Sequence, residues 1–331
     1  MRLSTLVLTG ADVRRLLDLA DCLEAVEQAF RKHGQGLASS PAVASVHVPG
    51  GAFHVKAGVL EAGGSSYFVS KTNANFPANR VAHDLPTIQG TLVVHDATSG
   101  APLAVMDSIQ ITALRTAAAT GVAARYLARH DSATVAIIGC GLQGERHARV
   151  LPLVRQITRA VLYDADVVAA RRLASMIGTE LRIAATVASS PAEAARAADI
   201  CVTCTTSREF LLNALHVPAG AFVAGVGVDN EDKKELAPDL LARARVVVDV
   251  TGQCAAFGDL HHAIEAGVMT AADVHAELGS VVAGISRGRE SDDDVIVFDS
   301  TGMALQDAAA AAVVFERALA DGAGITVDFS A

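Results

Sequence analysis

The sequence predicts an α/β protein: a doubly wound parallel sheet, plus an α+β domain built from the chain on either side of it. Three observations carry this expectation. After Asp131, short apolar strands and helical stretches alternate, the rhythm of a parallel sheet covered on both faces. Between Val43 and Val105, short alternating runs are punctuated by Gly, Pro and Asn, which reads as strands joined by tight turns. The length of 331 residues, 51% of them hydrophobic and 19% charged, suits about two domains and fills their cores.

In chain order, residues 10–36 predict a helix, because Leu16, Leu19, Leu23, Val26 and Phe30 recur at three- and four-residue spacing. Gly34 and Gly36 supply its stop. Strands are expected at 46–48, 53–55, 67–71 and 90–95, with turns at 49–51 and 96–100. An Ala-rich helix follows over 111–129. Strands at 134–138, 160–163, 182–186, 200–205, 222–226 and 246–248 then alternate with helices at 143–154, 167–176 and 191–197. A last strand at 295–299 leads through Ser300-Thr301-Gly302 into an Ala-rich helix ending near residue 319, expected to pack back on the first domain.

Composition excludes several classes. The net charge of −9 is the wrong sign for a protein that grips nucleic-acid phosphates. Aromatics are 4% with no Trp, too few for base-stacking platforms. Mean hydropathy is positive. Even so, the longest apolar stretches, 133–144 and 308–315, fall short of the roughly 20 residues that span a bilayer. Arg2, Asp12, Arg14 and Arg15 interrupt any N-terminal signal core. The five scattered cysteines, Cys22, Cys140, Cys201, Cys204 and Cys254, read as reduced thiols in a cytoplasmic protein. Cys201 and Cys204 lie in an apolar run and are expected as buried structural cysteines; His261 and His262 lack further ligand spacing, so no metal is expected. The partners left are small molecules and other copies of the chain.

The segment TVAIIGCGLQG, residues 134–144, is an apolar strand entering GxGxxG and then a helix, with Asp164 following at the end of the next strand. That context marks a Rossmann-type dinucleotide site. Gly139, Gly141 and Gly144 permit the tight turn, the approach of a pyrophosphate and close helix–strand packing. Leu142 and Gln143 open the helix whose N-terminus faces the phosphates. Asp164 stands where a carboxylate accepts the ribose hydroxyls, and no arginine follows it directly; Arg171 and Arg172 come later. NAD is therefore expected rather than NADP. The run 224–228 ends in Val228, placed beside the cofactor, and Asp229, whose carboxylate suits proton exchange with a substrate nitrogen. Glu231, Asp232, Lys233 and Lys234 read as a solvated charge cluster.

The remaining cations are few. Lys56 and Lys71 are the only lysines between Lys32 and Lys233, and both lie in strand-like segments. Each is either a solvated face residue or a charge held for an anion; Lys71 leads into the polar loop TNANFP, 72–77. Arg115 lies in a nearly uncharged helix and needs a partner, either a substrate carboxylate gripped bidentately or an internal salt bridge. His54 shares a strand face with Lys56, as a binding residue or as a hydrogen-bonded structural one.

These segments together resemble the ornithine cyclodeaminase/mu-crystallin family over nearly the whole chain. The likeness is carried by KTNANFPAN (71–79), 85–91, 100–107 followed by ITALRTAA (111–118), 135–144, 226–229 through Glu235-Leu236, and VFDSTGMALQD (297–307). It implies a homodimer in which residues 1–120, rejoined by 301–331, form a substrate-binding and dimerisation domain around an NAD-binding domain at 121–300. It also implies that Lys71 and Arg115 hold a substrate carboxylate and that Asp229 handles the proton at the reacting nitrogen. Thr87, Thr205 and Ser300 would approach the nicotinamide or its ribose. The chain departs from the family in two places. No arginine stands in 42–45, within PAVASV (41–46), and His54 replaces an expected glutamate, with Lys56 two residues on to supply positive charge. The implied activity is an NAD-dependent oxidoreductase at the C–N bond of an amino or imino acid, either a ketimine or cyclic imino acid reductase or an enzyme like alanine dehydrogenase. The alternatives are an ornithine cyclodeaminase that recycles its NAD and a non-catalytic ligand-binding protein of the crystallin type.

Overall fold

In the computed structural model, which describes residues 4–38 and 42–329, the chain divides into two units, residues 1–115 with 303–331 and residues 116–302. Arg2 and Pro41 lie outside the described residues. The first unit opens with β1 (Ser4–Leu8), α1 (Gly10–Leu16) and α2 (Leu19–Gly34). The single helix expected over 10–36 is thus two. Leu17 is extended, and the Asp18 side chain accepts the Asp21 N–H to start α2, satisfying a donor the helix cannot use itself. The buried stripe of Val13, Leu16, Leu17, Cys22, Leu23, Val26 and Phe30 runs through the break, so spacing alone conceals it.

Next come β2 (Ala42–Val48), β3 (Gly51–Ala62), β4 (Ser65–Asn75), the short α3 (Asn79–Ala82), β5 (Ile88–Asp96) and β6 (Pro102–Asp107). The β2–β3 turn needs Gly50, whose φ is +85°. The chain crosses from the first unit into the second within α4 (Ser108–Leu127).

The second unit continues with β7 (Thr134–Ile138), α5 (Leu142–Val150), β8 (Arg159–Tyr163), α6 (Val167–Met176), β9 (Ala184–Val187), α7 (Pro191–Arg196), β10 (Ile200–Thr203) and β11 (Phe222–Gly225). After these come α8 (Pro238–Arg243), β12 (Arg245–Val248), α9 (Thr251–Phe257), α10 (Asp259–Glu265), β13 (Ala276–Glu277), α11 (Leu278–Val282) and β14 (Ile296–Asp299). All eight strands are parallel, in the order β13-β12-β14-β11-β10-β7-β8-β9. Strand order reverses between β7 and β10, the switch point at which open α/β sheets bind ligands. Two expected boundaries move. The helix expected over 143–154 stops at Val150 and tightens into a 3₁₀ turn, because Pro152 has no N–H to continue it. The strand expected at 182–186 begins at Ala184, since Arg182 takes a left-handed turn with φ +57°.

The chain returns to the first unit in α12 (Ala304–Asp321) and β15 (Ile325–Asp328). Its mixed sheet runs β15-β1-β6-β5-β4-β3-β2, with β1 parallel to β6 and the other pairs antiparallel. Helix α12 packs on α2 and on β3, β4 and β5. At Gly58 a Cβ would stand 3.3 Å from Ala304 and Leu305, so the missing side chain lets this helix sit close. Among the described residues no helix is long and apolar enough to cross a membrane.

Candidate active site

The glycine loop is shaped by close approach. Gly139 has φ +105°, and a Cβ there would lie 2.7 Å from the Cys204 carbonyl oxygen. A Cβ on Gly144 would collide with the Gly139 carbonyl, so α5 packs directly on β7. Gly141 differs, because no other group lies within 4 Å of its Cβ position. It is the N-cap of α5 and offers no side-chain cap, so the helix's first N–H groups and dipole face open space. Leu142 is exposed beside it, and the Gln143 carbonyl accepts His147 Nδ1–H at 2.7 Å. Asp164, at the end of β8, accepts Cys140 N–H at 2.7 Å and Asp166 N–H at 2.9 Å, tying the second strand to the loop. Arg171 and Arg172 are exposed on α6. Open space above an uncapped helix, with a carboxylate at the neighbouring strand end, fits a dinucleotide.

Thr205, Val228 with Asp229, and Ser300 follow β10, β11 and β14, three adjacent strands, at one carboxyl edge. Buried carboxylates hold these segments. Glu235 accepts Thr205 N–H at 2.6 Å, Thr203 Oγ1–H at 2.8 Å and Gly227 N–H at 2.9 Å, so one side chain pins two loops. Asp249 accepts Thr301 Oγ1–H at 3.2 Å and Ser300 Oγ–H at 3.3 Å. Asp259 accepts the N–H groups of Glu235 and Leu236, both at 3.0 Å, and Asp299 accepts Leu260 N–H at 2.9 Å. All four are at most 1% exposed. Burial pushes the carboxyl of Glu235 up; burial and then its acidic neighbours raise Asp259, and burial takes Asp299 to about 7. Asp259 Oδ2 and Asp299 Oδ1 receive no donor from the described residues, the arrangement of carboxyls that keep a proton. Asp229 contrasts with them. Its side chain is 49% exposed, with Lys233 Nζ 2.8 Å and Asn230 Nδ2 3.0 Å from its Oδ1. Lys233, expected in a solvated cluster, is therefore the partner of Asp229.

The first unit assembles a different group. Lys71, in the middle of β4 and 3% exposed, places Nζ 2.8 and 2.7 Å from the two carboxylate oxygens of Asp307, and 3.4 Å from Thr112 Oγ1. Arg115, 6% exposed, donates Nε–H to Asp307 Oδ1 at 3.0 Å and Nη1–H to Gln306 Oε1 at 2.8 Å. The internal salt bridge left open for Arg115 is thus present, with Asp307 as its partner. Lys56 stands directly opposite Lys71 in the β3–β4 register. Like charges facing each other weaken a strand pair. Burial pushes the Lys71 ammonium down to about 7; Asp307 opposes that fall, and Arg115 and Lys56 deepen it. Burial alone would raise the Asp307 carboxyl, but Lys71 and Arg115 hold it below its ordinary value.

His54 Nδ1 lies 2.9 Å from Ser45 Oγ across the β2–β3 pair. Thr87 precedes β5, and its carbonyl accepts Phe76 N–H at 2.8 Å. Cys201 is buried in β10, and Cys204 donates Sγ–H to the Gly139 carbonyl at 3.1 Å, a structural contact under the glycine loop. Among the described residues, His261, His262 and Glu265 form the one group whose ligand atoms gather within 4.8 Å. His261 Nδ1 and His262 Nε2 already bond the carbonyls of Ala255 and Lys233. Reading the sequence missed roles for Asp307, Gln306 and Glu235. The local signal at Asp307 is a charge set against the uncharged run 308–315; Glu235 was masked by the charged run before it.

A family model described as the ornithine cyclodeaminase/mu-crystallin family matches residues 3–322. The chain is 36% identical over 327 residues to an alanine dehydrogenase of Archaeoglobus fulgidus, covering 99% of each chain. Its fold superposes on an archaeal alanine dehydrogenase dimer with bound NAD at a TM-score of 0.94, with 36% identity, 98% of this chain and 99% of that one covered. A Thermococcus litoralis Δ1-pyrroline-2-carboxylate reductase in complex with NADH and L-proline gives 0.92, with 32% identity over 98% of this chain and 100% of that one. Matched in sequence almost end to end, the chain belongs to the ornithine cyclodeaminase/mu-crystallin family.

Proposed function

We propose that this protein is an NAD-dependent oxidoreductase acting on the C–N bond of an amino or imino acid, as an imine reductase or in the manner of alanine dehydrogenase. The observation that carries the reading is the buried pair Lys71 and Arg115, two cations sharing the single carboxylate of Asp307. Such a grip suits the carboxylate of a small substrate, the group that alanine and proline have in common. Bound NAD supplies or receives the hydride. Gly139, Gly141, Leu142, Gln143, Gly144 and Asp164 hold its adenosine and phosphates, while Thr87, Thr205, Val228 and Ser300 serve its nicotinamide half. Asp229 gives or takes the proton at the substrate nitrogen, with Lys233 Nζ 2.8 Å from its Oδ1. Lys56 and His54 meet the remainder of the substrate. The working form is a homodimer. Support comes from the dimeric relative and from β2, an edge strand that exposes Val46 and Val48 with Phe53 beside them.

An NADH-oxidation panel tests this: pyruvate with ammonia or methylamine, a five- and a six-membered cyclic imino acid, and ornithine scored for ammonia. Stoichiometric loss of NADH with a keto acid plus amine, or with an imino acid, is the expected result. Ammonia release from ornithine without net absorbance change would assign a cyclodeaminase instead. Tight NADH binding with no turnover of any compound would leave only a ligand-binding role.

A further inference from the structure

Lys71 is surrounded by charge of its own sign. From β3 it faces Lys56, with His54 two residues along; from β5 it faces Leu92, with His95 and Asp96 towards the far end of that strand. Helix α4 contributes Thr112 and Arg115, and α12 contributes Gln306 and Asp307. Within this set, Asp307 is the anion that touches Lys71. A guanidinium is a permanent charge in proteins, so the cation able to lose a proton here is the buried lysine.

We infer that Asp307 is a positioning residue for the carboxylate grip, whose own carboxylate keeps Lys71 charged beside Arg115 and Lys56. This rests on the reading that Lys71 and Arg115 hold the substrate carboxylate. Only the ammonium form of Lys71 can hold Asp307 and still offer a substrate carboxylate a charge and a donor. A neutral amine there would leave Arg115 to bind alone. Because burial already brings Lys71 down to about 7 with Asp307 in place, the margin at neutral pH is narrow. Removing the Asp307 charge takes away the attraction that opposes burial, and the lysine then deprotonates below neutral pH. No covalent step is involved; the proton exchanges with solvent.

The chain has five lysines, Lys32, Lys56, Lys71, Lys233 and Lys234, few enough to follow one by one. The test is NMR of ¹³Cε-lysine in the NAD-saturated full-length protein, titrated from acid to alkaline pH. One resonance should titrate far below the others and vanish in Lys71→Arg, which assigns it. In Asp307→Asn its midpoint should fall by at least about one pH unit, roughly a tenfold change in proton affinity, and Asp307→Glu should restore most of it. In the same variants, KM for the panel substrate turned over fastest should climb about tenfold per pH unit above that midpoint, with kcat changing less. Ordinary titration of all five lysines overturns the inference, as does a Lys71 midpoint that ignores Asp307→Asn. Should Asp307→Asn fail to fold, the wild-type titration and Asp307→Glu still decide. If the Lys71 midpoint follows Asp307 but Lys71→Arg and Lys71→Met leave KM unchanged, the carboxylate-grip reading fails while the charge coupling stands.

Discussion

Asp164 accepts two backbone N–H groups, from the glycine loop and from the start of α6, so its carboxylate is oriented before any ligand arrives. Serine in its place loses the charge and one acceptor. Asp164→Ser should weaken NADH by about 10–100-fold, the loss of charged hydrogen bonds worth roughly 1.5–3 kcal/mol, and NADPH far less, as read by fluorescence titration. Equal losses for both would remove the proposed ribose contact. Residues of this kind were legible because a charge in an apolar segment, or a glycine in a fixed frame, stands out locally. Asp307 was not, because 192 residues separate it from Arg115 and 236 from Lys71, and no spacing rule reaches that far. Glu235 had a different cover: six charged or amide neighbours in a row, 229–234, make a buried acid look solvated.

At the scale of elements, strands β7, β10, β11 and β14 could be read directly, since a strand buried on both faces is an unbroken apolar run. The division of α1 from α2 could not, because one buried stripe serves both helices. Helices α4 and α5 are joined by a buried bond that makes a quantitative prediction. His147 lies in α5 with Nδ1–H donated to the Gln143 carbonyl, which leaves Nε2 to accept Thr120 Oγ1–H at 2.9 Å from α4. Burial lowers this histidine from 6.5 to about 4. The unfolded chain then takes up its proton near 6.5 and the native chain only near 4. The neutral histidine's contribution is therefore whole above pH 6.5 and lost as the pH falls through that window, roughly 3 kcal/mol in all. Urea unfolding of the wild type should show this extra proton between pH 6.5 and 4, and His147→Gln should lack it. Identical pH slopes would mean that His147 takes up its proton at the same pH in the native and unfolded chains.

For the whole molecule, the boundary between units falls at Arg115 and Thr116 and again at Gly302 and Met303, inside one helix and just before another. Alternating strands and helices marked the nucleotide unit in sequence. The other unit was harder, because β1 and β15 are short and lie at opposite ends of the chain yet pair from Ser4 with Asp328 to Val7 with Ile325. The outer strand β2 leaves Val46 56% exposed, an edge suited to a second copy. Sedimentation should report a dimer. Val46→Arg should shift it towards monomer with NADH binding intact, and a wild-type monomer at all concentrations would exclude this association.

Helix α12 also bears on how the protein is made. Domains leaving the ribosome fold in the order they emerge, so the parallel sheet is complete while Lys71 and Arg115 still lack their counter-ion. Their partner arrives with Ala304–Asp321, and β15 closes the sheet against β1 after that. A chain ending between Gly302 and Gln306 keeps a finished parallel sheet but leaves Lys71 and Arg115 without the carboxylate of Asp307. The first unit therefore finishes assembling only after α12 has been translated.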